Sequence, residues 1–260
     1  MKNLLLLLLC LPVFALAQVD VQNLLAENLN NPIGLDSKQP RFSWQLNSSK
    51  RNSSQTAYEI KVSSGKTAVW NSGKIVSDQS VQVPYSGDAL QSGKKYTWQV
   101  RVWDNNGKTS SWSKAASFQM GLLNTSDWKA QWIEAGFQED TLSRPPQYFR
   151  NQFSVAKKIA SATLYITAHG MYEAQINGKR VGDQYLSPGW TSYNKRLQYQ
   201  VYDVTNLLSN GKNVAGVIVA NGWYRGFLAW SNNKNIYGNK LALLFQMEIT
   251  YTDGTSSLVV

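Results

Sequence analysis

Cysteine and histidine are nearly missing from this chain. One cysteine, Cys10, and one histidine, His169, occur in 260 residues. A lone thiol closes no intramolecular disulfide, a zinc site is not expected from one histidine, and a hydrolytic triad is not expected either, since that histidine sits at a strand end before Gly170. His169 stands just before Gly170 at the end of an alternating run, so it reads as a packing or hydrogen-bonding residue at a bend. Helical periodicity is also lacking. No segment longer than about ten residues keeps apolar side chains at the 3.6-residue spacing. The only sustained apolar run, Leu4 to Leu9, is too short to span a bilayer comfortably, so no membrane span is expected. Acidic residues are scarce as well, with Asp+Glu 16 against Lys+Arg 26 and a formal charge of +10. The excess is scattered, its densest groups being the pairs Lys94-Lys95, Lys157-Lys158 and Lys179-Arg180. Nucleic-acid binding needs a concentrated basic stripe, and none is present. Solvated lysines on strand surfaces are the expectation, with attraction to acidic polysaccharide left open.

The N-terminus has the form of an export signal. Lys2 supplies the positive start, Leu4 to Leu9 the apolar core, and Ala15-Leu16-Ala17 a small-x-small cleavage site. The expectation is a signal peptide over residues 1–17, cleaved after Ala17, and export to a periplasmic or extracellular location. Cys10 lies inside the apolar core, which argues against lipid anchoring there. The mature chain would then hold no cysteine and depend on its cores alone. Hydrophobic residues make up 43% of the sequence, in the range of globular chains.

Strand patterns run throughout. Phe42 to Leu46, Tyr58 to Val62 and Tyr96 to Trp103 alternate apolar and polar residues, with Gly, Asn and Ser clusters between them. Such spacing predicts an antiparallel sandwich over residues 40–121, after a lead-in at 18–39. PRFSW at 40–44, YEIKV at 58–62, LQSGKKYTWQVRVWD at 90–104 and SSWSKAASF at 110–118 resemble a fibronectin type III domain. The resemblance implies Trp44 and Tyr96 as core aromatics, Trp112 closing the loop before the last strand, and a spacer role. Residues 122–147 contain Trp128, Trp132 and Pro145-Pro146 and read as a join, with both tryptophans packed there. From 148 to 260 a second sandwich is expected. Leu164, Ile166 and Ala168 point one way and Tyr165 and Thr167 the other. Asn177-Gly178 predicts a type I′ hairpin and Asp253-Gly254 another. The fold class is therefore all-β, with two β-sandwiches in tandem. The first is fibronectin type III or Ig-like. The second is jelly-roll-like and cut within its last strands.

LYITAHGMYEAQINGKRVGDQYLSPGWTSYNKRLQYQVYDVTNLLSNGKNVAGVIVANGWYRG, followed by IYGNKLALLFQMEITYTDG, is similar to the N-terminal domain of bacterial α-L-rhamnosidases. The resemblance implies enzymes that hydrolyse terminal α-L-rhamnose from plant glycosides and polysaccharides. It implies β-sandwiches ahead of an (α/α)6 barrel that carries the acidic catalytic residues of an inverting mechanism. That barrel is missing from the sequence, and no catalytic residue is assigned to it. The expected partners are a rhamnose-containing glycoside or polysaccharide and the barrel of the same enzyme. The alternative is a free-standing carbohydrate-binding or surface-adhesion protein.

A sugar site needs an aromatic platform for the C–H face of the ring and polar side chains for its hydroxyls. Trp190, Tyr193, Trp223, Tyr224 and Trp230 are the aromatic candidates, with Asn177, Asp183, Asn194, Asn221 and Arg225 beside them. Trp190 and Trp223 adjoin glycines in loops, where each is either an exposed platform or a wedge under the loop. The resemblance also admits a calcium ion, since related enzymes include a calcium-dependent rhamnose-binding module. Asn177, Asp183 and the Asn232-Asn233-Asn235 loop offer oxygen ligands of the right type. Equally, Asn177 is a turn residue and Asp183 a solvated loop charge. Glu173, Asp183, Asp203, Glu248 and Asp253 form no evident pair of glycosidase carboxylates. Asp203 reads as the cap of a short turn over Thr205 to Leu208.

Overall fold

The structure is a computed structural model, in which residues 19–230 and 232–260 are described. The expected signal peptide, residues 1–17 with its cleavage site at Ala17, lies outside the described residues. Two compact units divide the chain. The first holds residues 19–90 and Lys94–Gln119; the second holds Gln91–Gly93 and Met120–Val260.

The first unit is built from β1 (Asp20–Ala26), β2 (Ile33–Leu35), β3 (Arg41–Asn47), β4 (Gln55–Ser64), β5 (Thr67–Asn71), β6 (Ile75–Val76), β7 (Val83–Pro84), β8 (Lys95–Asp104) and β9 (Ala116–Met120). One sheet has the order β1-β3-β7. The other runs β2-β9-β8-β4-β5, with β6 beside β4. The stretch 18–39, expected as a lead-in, thus supplies a strand to each sheet: β1 pairs with β3 and β2 with β9. Periodicity missed them because β1 has a bulge between Gln22 and Leu25 and β2 has three residues.

Between the sheets, Phe42 meets Trp98 at 4.4 Å and Phe118 at 5.7 Å, and Tyr96 stacks on Phe118 at 5.2 Å between ring centres. Trp44 is buried as expected, and its indole N–H donates to Gln55 Oε1 at 2.9 Å. That bond removes the cost of burying a polar edge. Trp112 does more than close a loop. Its ring receives Lys61 Nζ at 4.1 Å and the Arg101 guanidinium at 4.8 Å, while Arg101 also lies 5.2 Å from the ring of Trp103. Lys74 caps the outer side of Trp103 at 4.6 Å. The same Arg101 pairs with the largely buried Glu59 at 2.6 Å. Alternating cations and indoles therefore zip β4 to β8 and to the segment before β9.

The second unit contains β10 (Ile133–Glu134), β11 (Gln147–Val155), β12 (Ile159–His169), β13 (Met171–Ile176), β14 (Lys179–Arg180), β15 (Gln200–Asp203), β16 (Gly211–Ala220), α1 (Gly222–Arg225), β17 (Phe227–Leu228), β18 (Asn233–Lys234), β19 (Ala242–Tyr251) and β20 (Ser256–Val259). One sheet has the order β10-β19-β12-β15 with β20 beside β19. The other has β11-β16-β13-β14, and β17 and β18 form a small hairpin. Leu164, Ile166 and Ala168 of β12 meet Leu243, Phe245, Met247 and Ile249 of β19 in one core with Ala174, Ile176, Val217 and Val219 of the facing sheet. Asn177 and Gly178 both have positive φ and link β13 to β14, as a two-residue primed turn requires.

The outer face of the β12–β19 sheet is buried too. Tyr165, Thr167 and Gln246 are all under cover. The cover is the segment read as a join. Trp128 packs edge-on against Tyr165 at 6.4 Å and Tyr199 at 5.3 Å, and β10 pairs directly with β19. Gln246 accepts the amide protons of Lys129 at 2.6 Å and Ala130 at 3.1 Å and donates to Asp127 O at 3.1 Å. Residues 122–147 are thus a strap over a sheet, and Trp128 and Trp132 pack on rings of the second unit. Among the described residues no helix is long and apolar enough to cross a membrane.

Arg101→Ala is expected to destabilise the first unit by about 2–3 kcal/mol, since it leaves Glu59 without its cation and breaks two ring contacts. Urea unfolding followed by tryptophan fluorescence measures this, and adding Glu59→Gln should recover part of the loss. A change below about 0.5 kcal/mol would show that the zipper contributes nothing beyond surface pairing.

Candidate functional site

The site is an aromatic cluster at one end of the second sandwich. β12 ends at His169 and β16 at Ala220, and the chain then turns through α1. Gly222 opens that turn with φ +49°, and a Cβ there would collide with the Met171 side chain. Residues in a helical turn are spaced about 100° apart. Trp223, Tyr224 and Arg225 consequently leave α1 in three directions.

Tyr224 goes to His169. The two rings are nearly parallel, 2° apart, with centres at 4.6 Å. Trp132 stacks on His169 with centres at 4.1 Å. The imidazole is thus a filling between two aromatic rings. Burial lowers its pKa, with Glu134 opposing weakly. Tyr193 meets Tyr224 edge-on at 5.6 Å and Tyr237 at 4.9 Å, and donates its hydroxyl to Gly189 O at 2.6 Å. Burial raises the pKa of both Tyr193 and Tyr224, so each stays a neutral phenol. Gly238 lets Tyr237 pass close by, because a Cβ there would strike the Tyr224 ring.

Trp223 goes the other way, to Trp190. Their rings are parallel within 5° at a centre distance of 6.1 Å, an offset stack. Trp190 is 56% exposed, and its indole N–H donates to Tyr237 Oη at 3.2 Å. The result is a broad, outward-facing indole, backed by Trp223 and fixed at its edge by a tyrosine hydroxyl. Aromatic pairs of this kind add about 0.5–1.5 kcal/mol each beyond burial, so the platform is pre-organised.

The sequence-derived candidates separate into groups. Trp190, Tyr193, Trp223 and Tyr224 converge. Trp230 does not: it is 101% exposed at the β17–β18 tip and makes no ring contact among the described residues. Asn194 is exposed in the loop that carries Tyr193. Arg225 is only 2% exposed, with Nε on Asn221 Oδ1 at 2.6 Å and Nη1 on Glu139 at 2.5 Å. It and Asn221 are interior structural groups and do not stand beside the platform as expected.

Asn177 is fully used within the fold. Its amide donates to Leu207 O at 2.9 Å and Asn213 Oδ1 at 2.8 Å, and its carbonyl accepts from Val214 N at 2.9 Å. Asp183 and Asn232 are exposed in separate loops. Among the described residues no group of three or more His, Cys, Asp or Glu is placed to hold a metal, and the Asn177 side chain is already engaged by Leu207, Asn213 and Val214. The carboxylates are occupied locally. Glu173 lies 3.5 Å from Arg180, Glu248 accepts from Gln246, Asp203 from Thr205, and Asp253 from Lys157 and Thr255. Asp203 accepts from both the amide and the hydroxyl of Thr205, but the cap position of the short Thr205–Leu207 turn is Val204, so Asp203 braces the entry to the turn one residue before its cap instead of capping it. Sequence reasoning missed Tyr237 and Trp132 as members of the cluster. Tyr237 sits within IYGNK, where aromatic-Gly adjacency was the available signal.

Two antiparallel sandwiches in series, with an aromatic rim on the second, define a tandem Ig-like and jelly-roll-like β module. Its family is given by sequence. A family model described as Rha78A-like, N-terminal immunoglobulin domain, matches residues 21–124, and one described as Alpha-L-rhamnosidase N-terminal domain matches residues 157–260. The chain belongs to the α-L-rhamnosidase family, as an N-terminal portion. It is 39% identical over 249 residues to an α-L-rhamnosidase of Formosa agariphila, covering 91% of this chain and 27% of that relative. The crystal structure of native α-L-rhamnosidase from Aspergillus terreus superposes with a TM-score of 0.86 at 37% identity, over 93% of this chain and 28% of that one. The Streptomyces avermitilis enzyme complexed with L-rhamnose superposes with a TM-score of 0.85 at 26% identity, over 93% and 40% respectively. The chain therefore spans between about a quarter and two fifths of these relatives.

Asn177→Ala is expected to cost about 2 kcal/mol in urea unfolding, from three lost hydrogen bonds and a positive φ that alanine tolerates poorly. His169 sets a pH dependence. Its folded pKa lies below the ordinary value of about 6.5, so the unfolded chain binds more protons between the two values. Its contribution is complete above the ordinary value and is lost as pH falls through the lowered one. The melting temperature should drop between about pH 7.5 and 5.5, and His169→Phe, which keeps a ring in the stack, should flatten that drop. An equal drop in the variant would assign it to other groups.

Proposed function

We propose that this chain is the substrate-positioning N-terminal part of an exported α-L-rhamnosidase acting on rhamnose-containing glycosides or polysaccharides. The observation that carries the reading is the exposed Trp190 indole, stacked on Trp223 and pinned by Tyr237. Deoxy sugars such as rhamnose present a methyl group and C–H faces that suit an indole surface. The family membership supports rhamnose as the sugar. The share of relatives that the chain spans supports hydrolysis by a catalytic part beyond these two units over a free-standing adhesin. Within the described residues each carboxylate of the second unit named above is engaged locally or lies alone, which favours a sugar-holding role for this part. Export to the periplasm or cell exterior follows from the signal-like N-terminus and accords with polymeric glycan as substrate.

Calorimetric titration of L-rhamnose into the purified chain should show binding near the millimolar range, about −4 kcal/mol. Trp190→Ala should weaken it at least about tenfold, the worth of one good ring contact, while the chain stays folded and its melting temperature falls only by the few degrees that losing the Trp223 stack costs. No heat at about 50 mM sugar, far above that range, would sink the platform reading.

A further inference from the structure

Behind α1, on the side that Arg225 faces, lies a second cavity of about 410 Å³. It shares none of its lining with the Trp190 platform. Arg144, Arg225, Glu139, Lys234, Asn235 and Lys240 are among its walls. Two guanidiniums meet here with one carboxylate between them. Arg225 spends Nε on Asn221, and Nη1 on Glu139 and on Asn239 O at 3.3 Å. Its Nη2 is buried and has no hydrogen-bond partner among the described residues. Arg144 spends Nη2 on Arg225 O at 2.8 Å and Asn235 Oδ1 at 2.5 Å, and its Nη1 is likewise buried and unpartnered among the described residues. A buried guanidinium ordinarily satisfies its donors; these two N–H groups are shielded, so what the residues lining this cavity present to it is under-compensated cationic charge.

The charges point the same way. The other carboxylate in the walls, Glu134, is held by Lys240 at 3.0 Å. Arg144, Arg225, Lys234 and Lys240 outnumber Glu134 and Glu139 by two. Burial, with the adjacent Arg225 charge, lowers the Arg144 pKa against the opposing pull of Glu139; Glu139 is paired with Arg225, and Arg144 has no carboxylate of its own. A planar carboxylate is the acceptor that guanidinium forks match best. The volume is that of a pocket for a small organic ligand, larger than a bare ion needs. Asn235 and Asn239 add polar contacts suited to hydroxyls.

We infer that this cavity binds the carboxylate of an acidic sugar, so that the second unit recognises a uronate residue of a glycan as well as a neutral one. The anion part of this inference stands on the two arginines alone; only the choice of a sugar as its carrier rests on the proposed function.

The test is calorimetry on the whole chain with D-glucuronate, D-glucuronamide, acetate and L-rhamnose as separate titrants. Glucuronate should bind at least about tenfold more tightly than the uncharged amide, the difference between a charge-assisted and a neutral hydrogen bond, and should weaken as salt rises. Arg144→Gln should lower glucuronate affinity at least about tenfold while leaving the rhamnose heat unchanged. If that variant proves unfolded by circular dichroism, the more exposed Lys234→Ala serves in its place and should weaken glucuronate about threefold through lost attraction. Equal binding of glucuronate and its amide, or glucuronate heat indifferent to both variants, would overturn the inference. Acetate binding as tightly as glucuronate would overturn the assignment to a sugar acid. A null result with rhamnose alone would sink the platform and leave this cavity standing.

Discussion

The second unit depends on the antiparallel ladder between β12 and β19. Ten residue pairs align, from Ile159 opposite Tyr251 to His169 opposite Ala242. One face of the ladder carries Leu164, Ile166, Ala168, Leu243, Phe245, Met247 and Ile249 into the core. The other carries Tyr165, Thr167 and Gln246 under the strap that holds Trp128. A single-residue slip would exchange the two faces and drive Gln246 into a core without partners. Register is therefore set on both sides of the sheet at once. It also fixes where His169 emerges, and His169 is the point at which Trp132 and Tyr224 meet.

Asn213 and Gln246 act as positioning devices in this interior because their hydrogen bonds are complete. Asn213, 1% exposed, accepts from Ser209 N and donates to Ser209 O and Gly211 O. It thereby holds the loop that Asn177 reaches from the hairpin turn. Gln246 does the same for the strap. Removing a partner from such a group costs more than its own bond, since the remaining atom stays buried without an acceptor or donor. The cation–indole zipper of the first unit follows different physics. It lies at the sheet surface, where Arg101 keeps partial hydration, and it gains from ring quadrupoles as well as from Glu59.

Strands with a clean period of two were legible in the sequence. Tyr58 to Val62 and Tyr96 to Trp103 alternate because one face meets a core, and Asn177-Gly178 announces its turn because few residue pairs tolerate two positive φ angles. Trp44 and Tyr96 were placed in the core by the resemblance to a fibronectin type III domain, and both are buried. The strap over residues 122–147 was not. Its irregular sequence is shaped by Gln246, more than a hundred residues away, and no local pattern encodes that. Four of the five aromatic candidates converge, and Trp190 and Trp223 stood out as tryptophans beside glycines in loops. Trp230, the fifth, lies between Ala229 and Ser231 without that signal and projects from a hairpin tip. Arg225 was misread for a related reason. An arginine after Trp-Tyr in a glycine-bounded loop looks solvent-facing, whereas its burial is decided by Glu139, 86 positions away in the chain.

A four-residue helical turn gives α1 a larger influence than its size implies. Trp223 stacks toward the exposed indole, Tyr224 toward the imidazole, and Arg225 toward the cationic cavity. The backbone carbonyl of Arg225 also accepts from Arg144, and that of Tyr224 from Tyr237 N. Any rigid displacement of the turn must move the Trp190 backing and the guanidinium geometry together. Gly222 and Gly226 close the turn so tightly that a Cβ on either would meet backbone or Met171, which leaves little room for such displacement. Two surfaces with different chemistry, one apolar and one cationic, are in this way held at a fixed spacing by one turn. A polymer with a neutral sugar and a charged sugar at matching separation would gain from both contacts without ordering the protein further, and ordering is where much of the cost of binding ordinarily falls.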